Sequence, residues 1–170
     1  MGGHYKANFS EGFMRILRIA FLFVLLTFSV ALATEVAPVK PSDKDKCPVC
    51  GMFVAKYPDF LAQITFQDGS HAFFDGAKDM FKYYFDLHKY NPSQSQSKIV
   101  AIYVTDYYSL APIDGRKAWY VIGSDVYGPM GRELIPFAME DEAREFMEDH
   151  GGGKLLAFEV VSPDVIAGLD

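Results

Sequence analysis

Phe60-Leu61-Ala62-Gln63-Ile64-Thr65-Phe66, then Gln67-Asp68-Gly69, then Ser70-His71-Ala72-Phe73-Phe74, is the stretch that decides the fold. Two runs rich in apolar, β-branched and aromatic residues flank an Asp-Gly pair, the pattern of an antiparallel hairpin. Asp75 follows at once and is suited to cap a helix. Ala77, Met80, Phe81, Tyr84 and Phe85 then recur at i, i+3, i+4, i+7 and i+8, which is one face of an α-helix. After the polar loop Asn91–Lys98, Ile99–Val104 reads as a third strand. The same order then returns. Ala118–Ile122 and Glu133–Phe137 read as strands. Glu140–Asp149 reads as a helix with Ala143, Phe146 and Met147 on one face and acidic residues in the first turn, where the helix dipole favours them. Gly151–Gly153 ends it, and Leu155–Val160 reads as a closing strand. The expected class is α+β: two small ββαβ halves, residues 47–105 and 106–170, with mainly antiparallel sheets each packed with one helix. The repeat is one of architecture, since the halves do not align residue by residue.

Directly upstream stands Cys47-Pro48-Val49-Cys50-Gly51-Met52, which contains both cysteines of the chain and a thioether. Four chemistries can use such a cluster. A Cys47–Cys50 disulfide would close so small a loop that it would constrain the unfolded chain very little. A thiol–disulfide exchange site has this Cys-x-x-Cys spacing but normally opens a helix. Here Gly51 and Met52-Phe53-Val54-Ala55 read as a turn into extended chain. A closed zinc site needs four ligands, and His71, His88 and His150 form no pair with ligand-like spacing. Cu(I) is satisfied by two or three soft donors, so Cys50, Met52 and one further group suffice. Residues i and i+2 share a side in extended chain, and Gly51 lets the backbone turn tightly between them.

The chain has 170 residues, half of them apolar and 15% aromatic, with a formal net charge of −6. That supports one core or two small ones. Lys6, Arg15 and Arg18 precede the uncharged run Ile19–Ala33, which ends in Ala31-Leu32-Ala33. A basic start, a short apolar middle and small residues at −3 and −1 describe a secretory signal over residues 1–33. The run is shorter than the roughly 20 residues of a spanning helix. Membrane contact is expected only if this segment is retained, and no cysteine follows closely enough to carry a lipid. Its removal takes away two net positive charges and leaves about −8. An acidic chain is a poor partner for nucleic acid. Residues 34–46, polar and containing Pro38 and Pro41, read as a flexible leader.

These residues also resemble a known family. Cys50-Gly51-Met52 is similar to the signature of the NosL copper-binding proteins, which accompany nitrous oxide reductase maturation. Ile102–Tyr107 resembles their central strand. Lys117–Ser124 with Gly128-Pro129-Met130-Gly131 resembles their second-half signature. Ile135-Pro136-Phe137, Ala143, Phe146 and His150-Gly151-Gly152 match the family's next helix and its end. The resemblance covers about residues 46–162 and implies two ββαβ halves. It also implies a periplasmic, non-enzymatic Cu(I) metallochaperone that serves a copper-accepting enzyme or its assembly complex, with no small-molecule substrate. Carried over by position, Cys50 and Met52 match the metal signature and Met130 the methionine between glycines. Cys47 is additional to that signature, and the family's lipid-anchoring cysteine is missing. Cys47–Asp75 alone also resembles YHS-type heavy-metal modules, with zinc as the alternative ion and His71 as a possible further donor. The expected metal set is Cys47, Cys50, Met52, Met130 and His71. The rival from another class is a thiol–disulfide redox protein using Cys47 and Cys50. Met80 and Met147, on apolar helix faces, read as core.

Overall fold

Strand β1, Ala62–Phe66, is buried along its whole length. It lies at the centre of an antiparallel sheet, paired with β2 (His71–Phe74) on one side and β3 (Ile99–Thr105) on the other. A short β4 (Pro112–Asp114) extends the sheet beyond β3. The hairpin turn closes as the Asp-Gly pair requires, with Gly69 at φ +80 and the Asp68 carboxylate accepting from the Ser70 N–H. A computed structural model gives this architecture, and the residues it describes are 36–170. The expected signal segment, residues 1–33, lies outside them.

The periodic run becomes helix α1, Ala77–Phe85, followed by a single turn α2, Leu87–Tyr90. In the second half β5 (Trp119–Ile122) is again central, between β8 (Ile135–Phe137) and β9 (Lys154–Ala157). The strand order β8-β5-β9 repeats β2-β1-β3. Between β5 and β8 in sequence, β6 (Tyr127–Gly128) and β7 (Gly131–Arg132) form a separate ribbon. Helix α3, Glu140–Asp149, covers one face of the second sheet, and a short α4, Pro163–Ala167, capped by Ser162, follows. The α+β class with two ββαβ units is as expected.

Alternation along the strands explains how the layers stack. On β5, Val121 joins Ile135, Phe137, Ala143 and Phe146 in a core beneath α3, while Tyr120 points the other way, its ring 5.2 Å from Phe81 of α1. On the opposite side of α1, Tyr83 meets Phe74 at 5.1 Å. Helix α1 is therefore sandwiched between the sheets of the two halves. Ile64, Phe81, Tyr120, Leu134 and Phe158 share one core.

Several boundaries differ from the sequence reading. β1 begins at Ala62 because Pro58–Phe60 forms a 3-10 turn with Pro58 at its start. The closing strand stops at Ala157, and Phe158–Val160 turns as a 3-10 segment that carries Phe158 onto Phe81 and Tyr84, at 5.1 and 5.4 Å. Tyr83 rather than Tyr84 is fully buried on α1. The stretch expected as a leader is tied to the sheet where it is described: Val39 N–H donates to Gln63 Oε1 at 3.0 Å, and Val36 C=O accepts from the Tyr103 hydroxyl. No helix of the described residues is long and apolar enough to cross a membrane.

Candidate metal centre

The Cys47–Met52 segment is a closed six-residue loop. Lys46 and Phe53 pair across its base. Cys47 N–H donates to Met52 C=O, and Gly51 N–H donates to Cys47 C=O, each at 2.9 Å. Gly51 takes φ +79, a left-handed conformation that glycine adopts without penalty. A one-turn 3-10 segment, Val54–Lys56, follows, so the cysteines do not open an α-helix.

This loop lies on the first turn of α1. Cys50 Sγ donates to Asp75 Oδ1 at 3.1 Å, and Cys47 Sγ donates to Asp79 Oδ2 at 3.3 Å. Ligand atoms of Cys47, Cys50, Asp75 and Asp79 all lie within 4.8 Å of one another. Cys47, Asp75 and Asp79 are buried, Cys50 is half-buried, and both thiols are free. Burial pushes the Cys50 thiol up to about 12, with Asp75 and Asp79 holding its proton against the pull of the Met52 N–H. Cys47 is raised further, again chiefly by burial. One oxygen of the site is left over: Asp75 Oδ2 is buried and has no hydrogen-bond partner. Buried carboxylate oxygens rarely go unpaired without a functional reason. Two sulfurs and two carboxylates this close together, one carboxylate with an unpaired oxygen, fit a metal ion.

Asp75 was expected to cap α1, and it does not. The N-cap is Gly76, without a side-chain cap bond. The cap comes from the other half of the protein, where buried Glu133 accepts from Lys78 N–H at 2.5 Å and from Leu134 N–H at 2.9 Å. A Cβ on residue 76 would overlap that carboxylate, so a larger residue there would have to displace the end of the Glu133 side chain. With the cap supplied from a distance, Asp75 is free to face Cys50. Sequence reasoning missed both aspartates as site residues. The available signal was their i, i+4 spacing at the start of the helix.

The other expected donors are placed differently. Met52 is half-buried and closes the loop through its carbonyl. Met130 is 44% exposed at the tip of the β6–β7 ribbon, and its carbonyl accepts from Lys78 Nζ at 2.9 Å. The ribbon thus sits against the same helical turn as the cysteine loop. The structure does not bring His71 to the sulfur pair. Its Nδ1 lies 3.1 Å from both Gln63 and Thr65 on β1. Alternation puts it on the sheet face away from α1, four residues before Asp75, or roughly 13 Å along the strand.

The second half contains a counterpart of the metal loop that its sequence conceals. Residues 106–111 are again six residues closed at the base by a strand pair, Thr105 with Pro112. Asp106 N–H donates to Ala111 C=O and Leu110 N–H to Asp106 C=O, at 2.9 and 3.0 Å, repeating the Cys47–Met52 pattern. Asp106 stands in the place of Cys47, Ser109 of Cys50 and Leu110 of Gly51. No sulfur remains. Burial would raise the Asp106 carboxyl, but Ser109 and the Ala138 N–H hold it below its ordinary value. Leu110 keeps the left-handed conformation at φ +56, although a side chain strains it by about 1–2 kcal/mol. Because Leu110 is 55% exposed, Leu110→Gly is expected to raise stability by about 1 kcal/mol, read from the midpoint of urea unfolding.

This sulfur loop seated on a helix between two ββαβ halves invites comparison with known proteins, and the NosL family model matches residues 38–166. The chain belongs to the NosL family. The copper-binding lipoprotein NosL of Stutzerimonas stutzeri is 29% identical over 157 residues, spanning 82% of this chain and 77% of that protein. The crystal structure of the copper chaperone NosL from Shewanella denitrificans matches with a TM-score of 0.62 at 26% identity, over 75% of this chain and 97% of that one. Both NosL relatives are named for copper.

Proposed function

We propose that this protein is an exported, non-enzymatic carrier of Cu(I), which it holds as cargo and passes to a copper-accepting enzyme or its assembly machinery, with nitrous oxide reductase as the client. The observation that carries the reading is the convergence of Cys47, Cys50, Asp75 and Asp79 within 4.8 Å, with one buried oxygen of Asp75 unpaired. Thiolate selects soft ions such as Cu(I). Loading replaces two thiol protons with one cation, and Asp75 and Asp79, already bonded to those protons, are the first groups to receive them. Met52 and Met130 are the proposed thioether donors, since the cysteine loop and the β6–β7 ribbon that carry them both pack on the same helical turn. Export to the periplasm is supported by the basic start and apolar run of residues 1–33 and by the lipoprotein name of the Stutzerimonas relative.

A thiol–disulfide catalyst requires a thiol with a lowered pKa, whereas burial raises both here. Alkylation of the metal-free protein at neutral pH is therefore expected to run at least about tenfold slower than that of free cysteine, with Cys47 slowest. Rapid labelling of Cys50 would favour the redox reading. The paired carboxylates support a second reading, zinc, because hard oxygens suit that ion better than Cu(I). Native mass spectrometry of the reduced protein, offered Cu(I) and Zn(II) together, decides between them. One copper per chain is expected; preferential uptake of zinc would overturn the copper assignment.

A further inference from the structure

We propose that the exposed face formed by Lys46, Phe53 and Lys56 beside the cysteine loop, and by Tyr127, Met130 and Arg132 on the β6–β7 ribbon, docks a metal-accepting protein segment that presents soft sulfur donors between carboxylates. The proposal rests on the carrier reading and names the partner chemistry of its site. The loop and the ribbon clasp the same turn of α1, one through Cys50–Asp75 and Cys47–Asp79, the other through Met130–Lys78 and Glu133–Lys78. Apolar side chains stand out on both: Phe53 is 39% exposed, Met130 44% and Tyr127 61%.

Charge gives the face its polarity. Lys46 Nζ lies 4.8 Å and Lys56 Nζ 5.7 Å from the centroid of the Phe53 ring. Two like charges gathered on one exposed ring repel each other, and an opposing carboxylate relieves that cost. Among the described residues no carboxylate is within ion-pair distance of Lys46, Lys56 or Arg132. In a chain with 22 acidic and 16 basic residues, a face that gathers Lys46 and Lys56 on one ring and carries Arg132 on the ribbon favours an acidic partner. Transfer by ligand exchange adds a geometric demand, since an acceptor atom must come within bonding distance of the metal. Cys47 is 1% exposed, so the approach runs past half-buried Cys50, in the loop that Lys46 and Phe53 close at its base. In the exchange an incoming thioether bonds Cu(I), the Cys50–Cu bond breaks, and Cys50 recovers a proton from solvent beside Asp75. Copper remains monovalent throughout.

The test uses the Cu(I)-loaded protein and two synthetic peptides with the same Met-x-Met donors, one flanked by aspartates and the other by lysines. At about 20 mM salt, transfer to the aspartate peptide is expected to be at least about tenfold faster, and the difference should largely vanish at about 0.5 M salt. The triple variant K46E/K56E/R132E should reverse the preference. Equal rates to both peptides with the unmodified protein would overturn the docking face while leaving the carrier intact, a comparison that needs no variant to fold. A protein that takes up no Cu(I) before the peptides are added would overturn the carrier reading and, with it, this one.

Discussion

Replacing Cys47 and Cys50 together with serine is expected to weaken Cu(I) binding at least about a thousandfold, or about 4 kcal/mol. The measurement is a competition titration of the reduced protein against a Cu(I) chelator. Serine keeps nearly the shape of cysteine, so the six-residue loop and its backbone bonds to Met52 and Cys47 should survive. It replaces a soft donor that the metal itself deprotonates with a hard hydroxyl that stays protonated. The single variants should differ, with Cys50→Ser the costlier because Cys50 matches the family's metal signature and Cys47 is additional to it. Unchanged affinity in the double variant would remove the site.

The same titration has a pH signature. Burial holds both thiols protonated through neutrality, Cys50 up to about 12, so binding one ion displaces two protons. Affinity should therefore rise with pH, by about two decades per unit if both protons reach bulk water and by less if an aspartate keeps one. Asp75→Asn with Asp79→Asn separates the roles of the carboxylates. If they only receive protons, affinity at high pH should hold while the pH slope steepens towards two. If they ligate the ion directly, affinity should fall at every pH.

Local pattern carried much of the fold. The Asp68-Gly69 turn and the period of Ala77, Met80 and Phe81 were legible because each depends on residues close together in sequence. The site was legible only as far as its sulfurs. Asp75 reads as a helix cap to any local rule, and what releases it from that role is Glu133, whose carboxylate reaches Lys78 across 55 positions. No periodicity encodes a contact of that range. The duplicated loop is hidden for a related reason. Cys-Pro-Val-Cys-Gly-Met and Asp-Tyr-Tyr-Ser-Leu-Ala match at no position, and what they share is two backbone bonds and a left-handed fifth residue. His71 looked available because the hairpin strand carries it towards Asp75, but strand alternation turns it to the other face.

Glu133→Ala is expected to cost about 3 kcal/mol of folding stability near pH 6, from two buried N–H groups losing their acceptor and from the cavity left behind. Glu133→Gln is the sharper experiment, because its effect should change with pH. Burial raises the Glu133 carboxyl from its ordinary 4.5 to about 8, against the pull of the Leu134 and Lys78 N–H groups and of the Lys78 ammonium. That ammonium has other partners, the Met130 and Leu169 carbonyls and the Asp170 carboxylate, so Glu133 need not be charged to balance it. Between about pH 4.5 and 8 the native state then holds one proton more than the unfolded chain. Stability from this group is fully present below 4.5 and is lost as pH rises through 8, by at most about 1.4 kcal/mol per unit. Glutamine preserves the acceptor and has no proton to lose. Glu133→Gln should therefore unfold in urea close to the parent midpoint at about pH 5 and become the more stable of the two at about pH 9. A parent whose stability rises with pH over that window, relative to the glutamine variant, would mean that Glu133 is ionised in the fold and that the α1 cap is an ion pair with Lys78.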